Sequence, residues 1–123
     1  MVNKLYLQND ALDAALRTTV FKNDVIQDNI ANVDTPGYKR KSMAFDGIFA
    51  DALYDARRGG DLSATALTPR ERVYDTGSWR LDANNVNIDY EMAAMYENAI
   101  KYETLASSVI NNYKRLHLVV NGA

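Results

Sequence analysis

Apolar residues in the first third of the chain recur every three or four positions, which predicts a long amphipathic helix between Asp10 and Val33. Two positions of this stripe are polar, and buried polar residues in a helical seam lower stability while fixing register or partner number. The helix must end before Pro36, which disfavours the helical conformation at Thr35, and Gly37 supplies the positive φ of a Pro-Gly turn. The stripe consists of Leu12, Leu16, Thr19, Asn23, Ile26, Ile30 and Val33.

The last third of the chain has the most regular pattern, a three-four alternation typical of a coiled-coil-like helix. Asn87 or Asp89 can cap its start, and Asp89 and Glu91 suit the first turn because the helix dipole favours negative charge there. Glu97 and Lys101 form an i,i+4 pair of the favourable order. The stripe consists of Met92, Met95, Ala99, Tyr102, Ala106, Val109, Tyr113, Leu116 and Val120.

The middle of the chain has weaker signals. The apolar spacing from Phe45 to Leu53 predicts a short amphipathic helix that ends near Arg58. Residues 59–70 are rich in small and polar residues and predict a flexible loop. The segments Val73–Tyr74 and Trp79–Leu81 flank a turn and predict two short strands of a hairpin.

These elements predict a mainly α fold in which long N- and C-terminal helices pair as an antiparallel coiled-coil-like bundle. The middle region is expected to be small, with irregular structure and a β-hairpin. Helices of roughly 33 and 48 Å, at 1.5 Å per residue, are too long for a compact domain of this size. We therefore divide the chain into an N-terminal helix and turn (1–41), a middle region (42–86) and a C-terminal helix (87–123).

Several apolar residues lie off the two stripes, so that more than one helical face is apolar in places. We expect other subunits to cover these faces. A monomeric helical hairpin with a wide stripe is the alternative that periodicity alone leaves open. The residues concerned are Leu5, Leu7, Val20, Val25, Tyr90, Tyr96, Ile100 and Ile110.

Composition and charge exclude several classes of function. The chain has 123 residues, no cysteine and a formal net charge of -2, so nucleic acid is not an expected partner and no thiolate metal site can form. No segment reaches the length of a membrane span. The first residues lack the basic start and apolar run of a secretory signal, and we expect that any export does not use one.

Candidate chemistry is equally sparse. His117 is the single histidine and is expected at the surface late in the helix, since no carboxylates surround it in a metal-binding pattern. Asp89 and Glu91 point in different directions on a helix and do not form an acid–base pair. The Lys39–Lys41 charges are expected to be a solvated patch. Without a phosphate-binding loop or nucleophile motif, we predict no enzymatic activity, cofactor, metal or small-molecule substrate.

Residues 28–39 read Asp-Asn-Ile-Ala-Asn-Val-Asp-Thr-Pro-Gly-Tyr-Lys, and this segment resembles the N-terminal signature of flagellar rod and hook proteins. Residues 85–103 resemble the C-terminal helix of one branch of that family. Ala83 stands where such proteins often have glycine before the Asn-Asn pair. The motif residues are Asn29, Asn32, Thr35, Pro36, Gly37 and Tyr38. For Asn29 and Asn32, a capping or solvent-facing role and a bond to a neighbouring subunit's backbone are equally weighted alternatives.

The resemblance implies a structural subunit of the proximal rod of the bacterial flagellar basal body. Such a subunit is exported from the cytoplasm by the flagellar type III apparatus and lies in the periplasmic rod. Its expected partners are copies of itself, FlgC-like rod subunits and the FliE adaptor. The terminal helices would polymerise around a central channel into a shaft that transmits torque. The two stripes, apart from Val33 and Val120, are the expected assembly interface.

Two alternatives are kept open. The chain could be a soluble helical adaptor or export chaperone of the flagellar type III system, with one partner helix in its groove. It could also belong to the FlgC-like branch of the same family.

Overall fold

The computed structural model describes residues 2–44, 54, 70–74, 77–78 and 80–122. Helix α1 spans Val2–Ala31 and is followed by strand β1, Lys41–Ala44. Strand β2 spans Arg70–Val73, and helix α2 spans Ile88–Val120. The predicted fold class, a mainly helical chain with a small antiparallel sheet in its middle, is confirmed.

The two helices pack side by side in opposite directions. The Nδ2 of Asn98 in α2 donates to the carbonyl of Thr19 in α1 at 2.8 Å. Further along, Asn112 Nδ2 lies 3.4 Å from Asn9 Oδ1. The contacts therefore move towards the start of α1 as α2 proceeds, and the antiparallel pairing is confirmed. Helix α1 has 30 residues, begins well before the predicted start and ends at Ala31.

The face of α2 that contacts α1 is only partly the predicted stripe. Glu91 and Asn98 are buried, although neither counts as apolar in a periodicity search. Met92, Met95, Ala106, Val109 and Leu116 are half-buried, whereas Ala99, Tyr102, Tyr113 and Val120 are exposed. Hydrogen-bonded polar side chains occupy the centre of the contact, and the exposed members of the stripe therefore lie on its flank.

The apolar core among the described residues consists of Val25, Ile26 and Val86. The expectation that other subunits cover Val25 is wrong, because this side chain is only 6% exposed within one chain. Helix α1 contacts both α2 and β1, so its buried face is wider than one stripe. Among the other off-stripe residues, Val20, Tyr90, Tyr96, Ile100 and Ile110 are exposed.

No helix within the described ranges is both long enough and apolar enough to cross a membrane.

The sheet differs from the predicted hairpin. Strand β2 pairs with β1 in antiparallel register, with Lys41 opposite Val73 and Ala44 opposite Arg70. The Tyr74 amide extends the ladder by donating to the Arg40 carbonyl at 2.9 Å. The predicted pairing of Val73–Tyr74 with the Trp79–Leu81 segment is wrong, because Arg80 and Leu81 lie in a bend and turn. The partner of β2 is instead β1, which follows the Pro-Gly turn.

The other predictions for the middle of the chain fall almost wholly outside the described ranges. They are the short helix from Phe45 to Arg58, of which Tyr54 alone is described and is helical, and the 59–70 loop up to Pro69. Arg70 itself begins β2.

Two residues with positive φ fix the connection between the elements. Gly37 has φ 73°, as the Pro-Gly turn predicts, and its amide donates to the Asp82 carbonyl at 2.8 Å. Ala83 has φ 62° and is the only described non-glycine residue in this region of backbone space. This left-handed conformation favours glycine, which gives a physical reason for the expectation that a glycine stands here in the rod and hook proteins that the sequence resembles.

We predict that Ala83→Gly stabilises the chain. The left-handed conformation costs an L-residue about 1–2 kcal/mol, and the greater entropy of unfolded glycine offsets about 0.4–1 kcal/mol of that gain. Urea denaturation should show a free energy of unfolding higher by about 0.5–1 kcal/mol. Ala93→Gly, at an exposed position within α2, is the matched control and should lower stability by about 1 kcal/mol. A similar loss at both positions would refute the explanation.

Candidate assembly site

Asn29 connects the end of α1 to the first strand and is fully buried. Its Nδ2 donates to the Lys41 carbonyl at 2.8 Å, and its Oδ1 accepts from the Lys41 amide at 2.9 Å. The Tyr38 hydroxyl donates to the same oxygen at 3.4 Å. The Asn29 side-chain amide thus forms the two backbone hydrogen bonds at Lys41 that a further strand beside β1 would otherwise form. Neither predicted alternative for Asn29 is correct, since its amide satisfies the backbone of its own chain.

Asn84 holds the turn that follows α1 from a distant part of the sequence. Its Nδ2 contacts the carbonyl oxygens of Asn32, Val33 and Thr35 at 2.9, 3.0 and 2.9 Å. Its Oδ1 accepts from the Val86 amide at 2.8 Å. These carbonyls belong to the turn after α1, which ends at Ala31, and the fully buried Asn84 side chain supplies donors to them.

Arg80 adds a second donor just beyond the same helix end. Its Nη1 donates to the Val33 carbonyl at 2.7 Å, and its guanidinium pairs with Asp82 at 2.9 Å. Ser78 holds the backbone on either side of this turn, since its hydroxyl lies 3.0 Å from the carbonyls of both Arg80 and Asn84. The 78–84 segment therefore fixes the turn that follows α1.

Two further asparagines continue the connection into α2. Asn85 Oδ1 accepts from the Arg40 amide at 2.6 Å, and its Nδ2 donates to the Tyr74 carbonyl at 2.9 Å. Asn87 is the N-cap of α2, with its side chain accepting from the amides of Asp89 and Tyr90. This confirms one of the two predicted caps. We refer to Asn29, Asn84, Asn85 and Asn87 as the asparagine junction.

A buried ion pair lies beside this junction. Arg40 Nε donates to Glu91 Oε1 at 2.5 Å, and the Glu91 side chain is fully buried. The guanidinium carbon lies 4.6 Å from the ring centre of Tyr90 and 5.7 Å from that of Tyr74, within the range of cation–π interaction. Two predictions are corrected here. Arg40 is not part of a solvated patch, and Glu91 stabilises the fold through this contact as well as through the helix dipole.

The contact between the helices contains polar groups at its centre. Thr19 is buried, and its hydroxyl donates to the Leu16 carbonyl at 2.7 Å. Asn98 is also buried, and its Oδ1 has no hydrogen-bond partner. Beside them an open groove of about 330 Å³ runs between the helices, lined by residues of both. We call it the interhelical groove; its lining residues include Thr19, Asn23, Asn98, Ala99, Tyr102 and Glu103.

The outer surface of α2 carries large apolar side chains without cover from the described part of the chain. Tyr96 and Ile100 are 64% and 65% exposed, and Ile110 and Tyr113 are 54% and 61% exposed. Large exposed apolar side chains on one element are typical of interaction surfaces. Leu118, Val119 and Val120 extend it to the end of the helix.

Burial and neighbouring charges shift the pKa values of Tyr38, Lys41 and Glu97. Burial raises the pKa of the Tyr38 phenol, with a smaller opposing effect from Lys41. The hydrogen bond and charge of Glu71 raise the pKa of Lys41, whose Nζ lies 3.0 Å from that carboxylate. Lys101 lowers the pKa of Glu97 through the predicted i,i+4 pair, at 2.6 Å. These charged pairs are partly exposed and stabilise the structure only modestly.

Most residues of the 28–39 motif lie close together in the structure. Asn29, Thr35, Gly37 and Tyr38 all lie at the junction, and Asn32 bonds within it through the Asp28 carbonyl and the Thr35 hydroxyl. Sequence reasoning missed the roles of Asn84, Asn85, Arg40 and Glu91. The repeated asparagines at 84, 85 and 87 were the available signal, since buried amides in loops commonly bond to backbone.

The other two candidate residues, His117 and Asp89, both lie on the surface of α2. His117 is exposed and contacts the Asn121 amide, as expected of a late-helix surface residue. Asp89 is exposed on the first turn of α2. The described residues contain no group of three acidic, histidine or cysteine side chains that could bind a metal.

The sequence is similar to those of known flagellar rod proteins. A sequence model of the family described as "Flagella basal body rod protein" matches residues 11–39. The flagellar basal body rod protein FlgB of Bacillus subtilis is 31% identical over 117 residues, covering 90% of this chain and 91% of the relative. FlgB of Escherichia coli is 30% identical, covering 85% of this chain and 91% of its own length. FlgB of Borrelia hermsii is 29% identical over 114 residues.

We predict that Asn84→Ala lowers the free energy of unfolding by about 3 kcal/mol, because it leaves three carbonyls of the turn after α1 without their main donor. Urea denaturation measures the change. Asn111→Ala, at an exposed position of α2, removes an equal side chain and should change stability by less than about 0.5 kcal/mol. Equal effects of the two substitutions would contradict this role of Asn84.

We also predict strong coupling between Arg40 and Glu91. Arg40→Met leaves an uncompensated buried carboxylate and should destabilise the chain by about 3–5 kcal/mol. Combining it with Glu91→Met removes both charges and should recover most of that loss. A double-mutant cycle in urea measures the coupling, and additive effects would argue against a functional ion pair.

Proposed function

Since the chain belongs to the FlgB family of flagellar basal body rod proteins and is a structural subunit of that rod, we propose that it forms the proximal part. In this proposal its terminal helices polymerise with those of other subunits, and the resulting shaft transmits motor torque. The protein catalyses nothing. No finding favours the alternative of an export chaperone or soluble adaptor.

The observation that carries the proposal is the pair of long terminal helices with an uncovered apolar flank. Helix α2 has 33 residues, roughly 50 Å at 1.5 Å per residue, yet its fully buried residues are the polar Glu91 and Asn98 and none is apolar. Tyr96, Ile100, Ile110 and Tyr113 remain exposed on its outer surface. Covering this surface would release the free energy of burying apolar area, at about 25 cal/mol per Å². Polymerisation provides that cover.

The predicted assembly interface can be sharpened accordingly. Stripe residues such as Ile26 are buried within one chain and support the helix pair itself. Ala99, Tyr102 and Tyr113 are exposed and are the stripe residues available to neighbours. We propose that contacts between subunits use this exposed flank together with the off-stripe residues Tyr96 and Ile110.

The partners and route are also proposed. We place copies of this chain, FlgC-like rod subunits and the FliE adaptor next to it, after export from the cytoplasm by the flagellar type III apparatus into the periplasmic rod. The absence of cysteine from the 123 residues is compatible with export of an unfolded chain, because no disulfide must be broken or reformed.

The direct test is quantitative mass spectrometry of purified hook and basal-body particles from cells that make the chain. Several copies per particle are expected. Absence from the particles, with the chain recovered as a one-to-one complex with one exported protein, would instead identify an adaptor.

We predict that Ala99→Asp reduces incorporation into these particles at least tenfold while secretion stays normal. The exposed methyl group lies on the flank that neighbours would cover, and a carboxylate there would have to be desolvated. Thr104→Asp adds the same charge at an exposed position of α2 outside the interhelical groove and serves as control. Immunoblots of particles and of secreted protein measure both steps, and normal incorporation of Ala99→Asp would remove this flank from the interface.

A further inference from the structure

Two hydrogen-bond acceptors that line the interhelical groove have no partner among the described residues. Glu103 lines it and forms no ion pair with any described residue. Asn98 also lines it, and its Oδ1 is buried without a hydrogen-bond partner. Because an unpartnered buried acceptor is costly, a native fold retains one where something else satisfies it. The groove is therefore suited to a cationic side chain that brings several donors.

Helix α2 itself carries cations without partners. Lys114 and Arg115 are exposed and form no ion pair among the described residues. Exposed apolar side chains flank them, with Tyr113 61% and Leu118 58% exposed. The exposed acidic residues Asp89 and Glu103 lie earlier in the same helix. Along α2, the acidic residues without ion-pair partners therefore precede the basic residues without ion-pair partners.

The separation between Glu103 and the basic pair is about three helical turns, or roughly 17 Å at 1.5 Å per residue. A second copy displaced by that distance along the helix axis would bring its basic pair beside Glu103 of the first copy. Its flanking apolar residues would then lie along Tyr102 and Val20, which line the same groove. Charge and apolar surface are complementary in this arrangement.

We propose that the interhelical groove is the docking site for the Lys114–Arg115 segment of a second copy of this chain, in a parallel, staggered contact. The proposal rests on the rod function and specifies which surfaces of two identical subunits meet. Donor segment and acceptor groove are different surfaces of one chain, so the contact is heterologous and repeats without closing into a dimer. Such a contact generates the open assembly that a rod requires.

Charge reversal tests the pairing. Glu103→Lys, and separately the combination Lys114→Glu with Arg115→Glu, should each weaken self-association of the full chain at least tenfold, measured by sedimentation velocity. Combining all three substitutions restores opposite charges and should recover wild-type association. Glu97→Lys changes the net charge equally on an exposed position that does not line the groove and should have little effect. Circular dichroism checks that every variant is folded.

A wild-type chain that stays monomeric at all concentrations, or a combined variant that fails to recover while remaining folded, would overturn the proposal. So would equal weakening by Glu97→Lys, because that would indicate a general effect of charge.

Cross-linking tests the direction of the contact, and the chain offers a clean background because it has no cysteine. In the parallel arrangement Asn111 of one copy lies beside Ala99 of the next. Ala99→Cys with Asn111→Cys should therefore give a ladder of cross-linked species with a short bifunctional maleimide. In an antiparallel closed dimer Ala99 would instead face Leu118, and Ala99→Cys with Leu118→Cys would give dimers only. That second result would overturn the staggered contact.

Counting copies in purified basal-body particles separates the two levels of inference. If the wild-type chain is present and Glu103→Lys incorporates at the wild-type level, the docking site is wrong and the rod function stands. If the wild-type chain itself is absent from the particles, the rod function fails.

Discussion

The backbone turn that follows α1 leaves carbonyl groups that need hydrogen-bond donors from elsewhere in the chain, and one fully buried asparagine supplies them. Asn84 supplies hydrogen-bond donors to the Asn32, Val33 and Thr35 carbonyls, over sequence separations of 52, 51 and 49 residues. Arg80 adds another donor from the same segment. Because Asn84 lies shortly before α2, its hydrogen bonds to the turn after α1 also bring the start of α2 next to the end of α1. The antiparallel pair follows from that constraint.

The interior at this point is more polar than in an ordinary helical bundle. Thr18, Thr19, Asn29, Asn84, Glu91 and Asn98 are buried, against a small set of apolar core residues within the described ranges. Buried polar groups contribute little net stability, but an unpaired group is costly, so each accepts few alternative arrangements. A junction of this kind favours one arrangement of the helices over similar arrangements. For a subunit that must repeat its contacts along a shaft, defined geometry matters more than a large free energy of unfolding.

The features predicted from sequence were those with a local physical cause. The two helices, the Asn87 cap, the Glu97–Lys101 pair and the positive φ of Gly37 each depend on residues a few positions apart. The β1–β2 pairing and the Arg40–Glu91 ion pair join residues that are distant in sequence, and no short-range pattern records them. The seam of α2 was misplaced for a related reason. Hydrophobic periodicity ignores Glu91 and Asn98, although both are buried by their hydrogen-bond partners.

The contacts that define the tertiary structure share one further property, which concerns when they can form. Asn98 bonds to Thr19 across 79 residues and Asn112 to Asn9 across 103, so the first helix meets its partners only after nearly the whole chain has been made. Loop-closure entropy must be overcome before such distant contacts reward it, and folding rates fall as mean contact separation rises. While it emerges from the ribosome, the N-terminal half has neither the hydrogen bonds of Asn84 nor its packing surface. The order of synthesis thus gives this chain an interval in which it remains open to capture by cellular factors before its two ends meet.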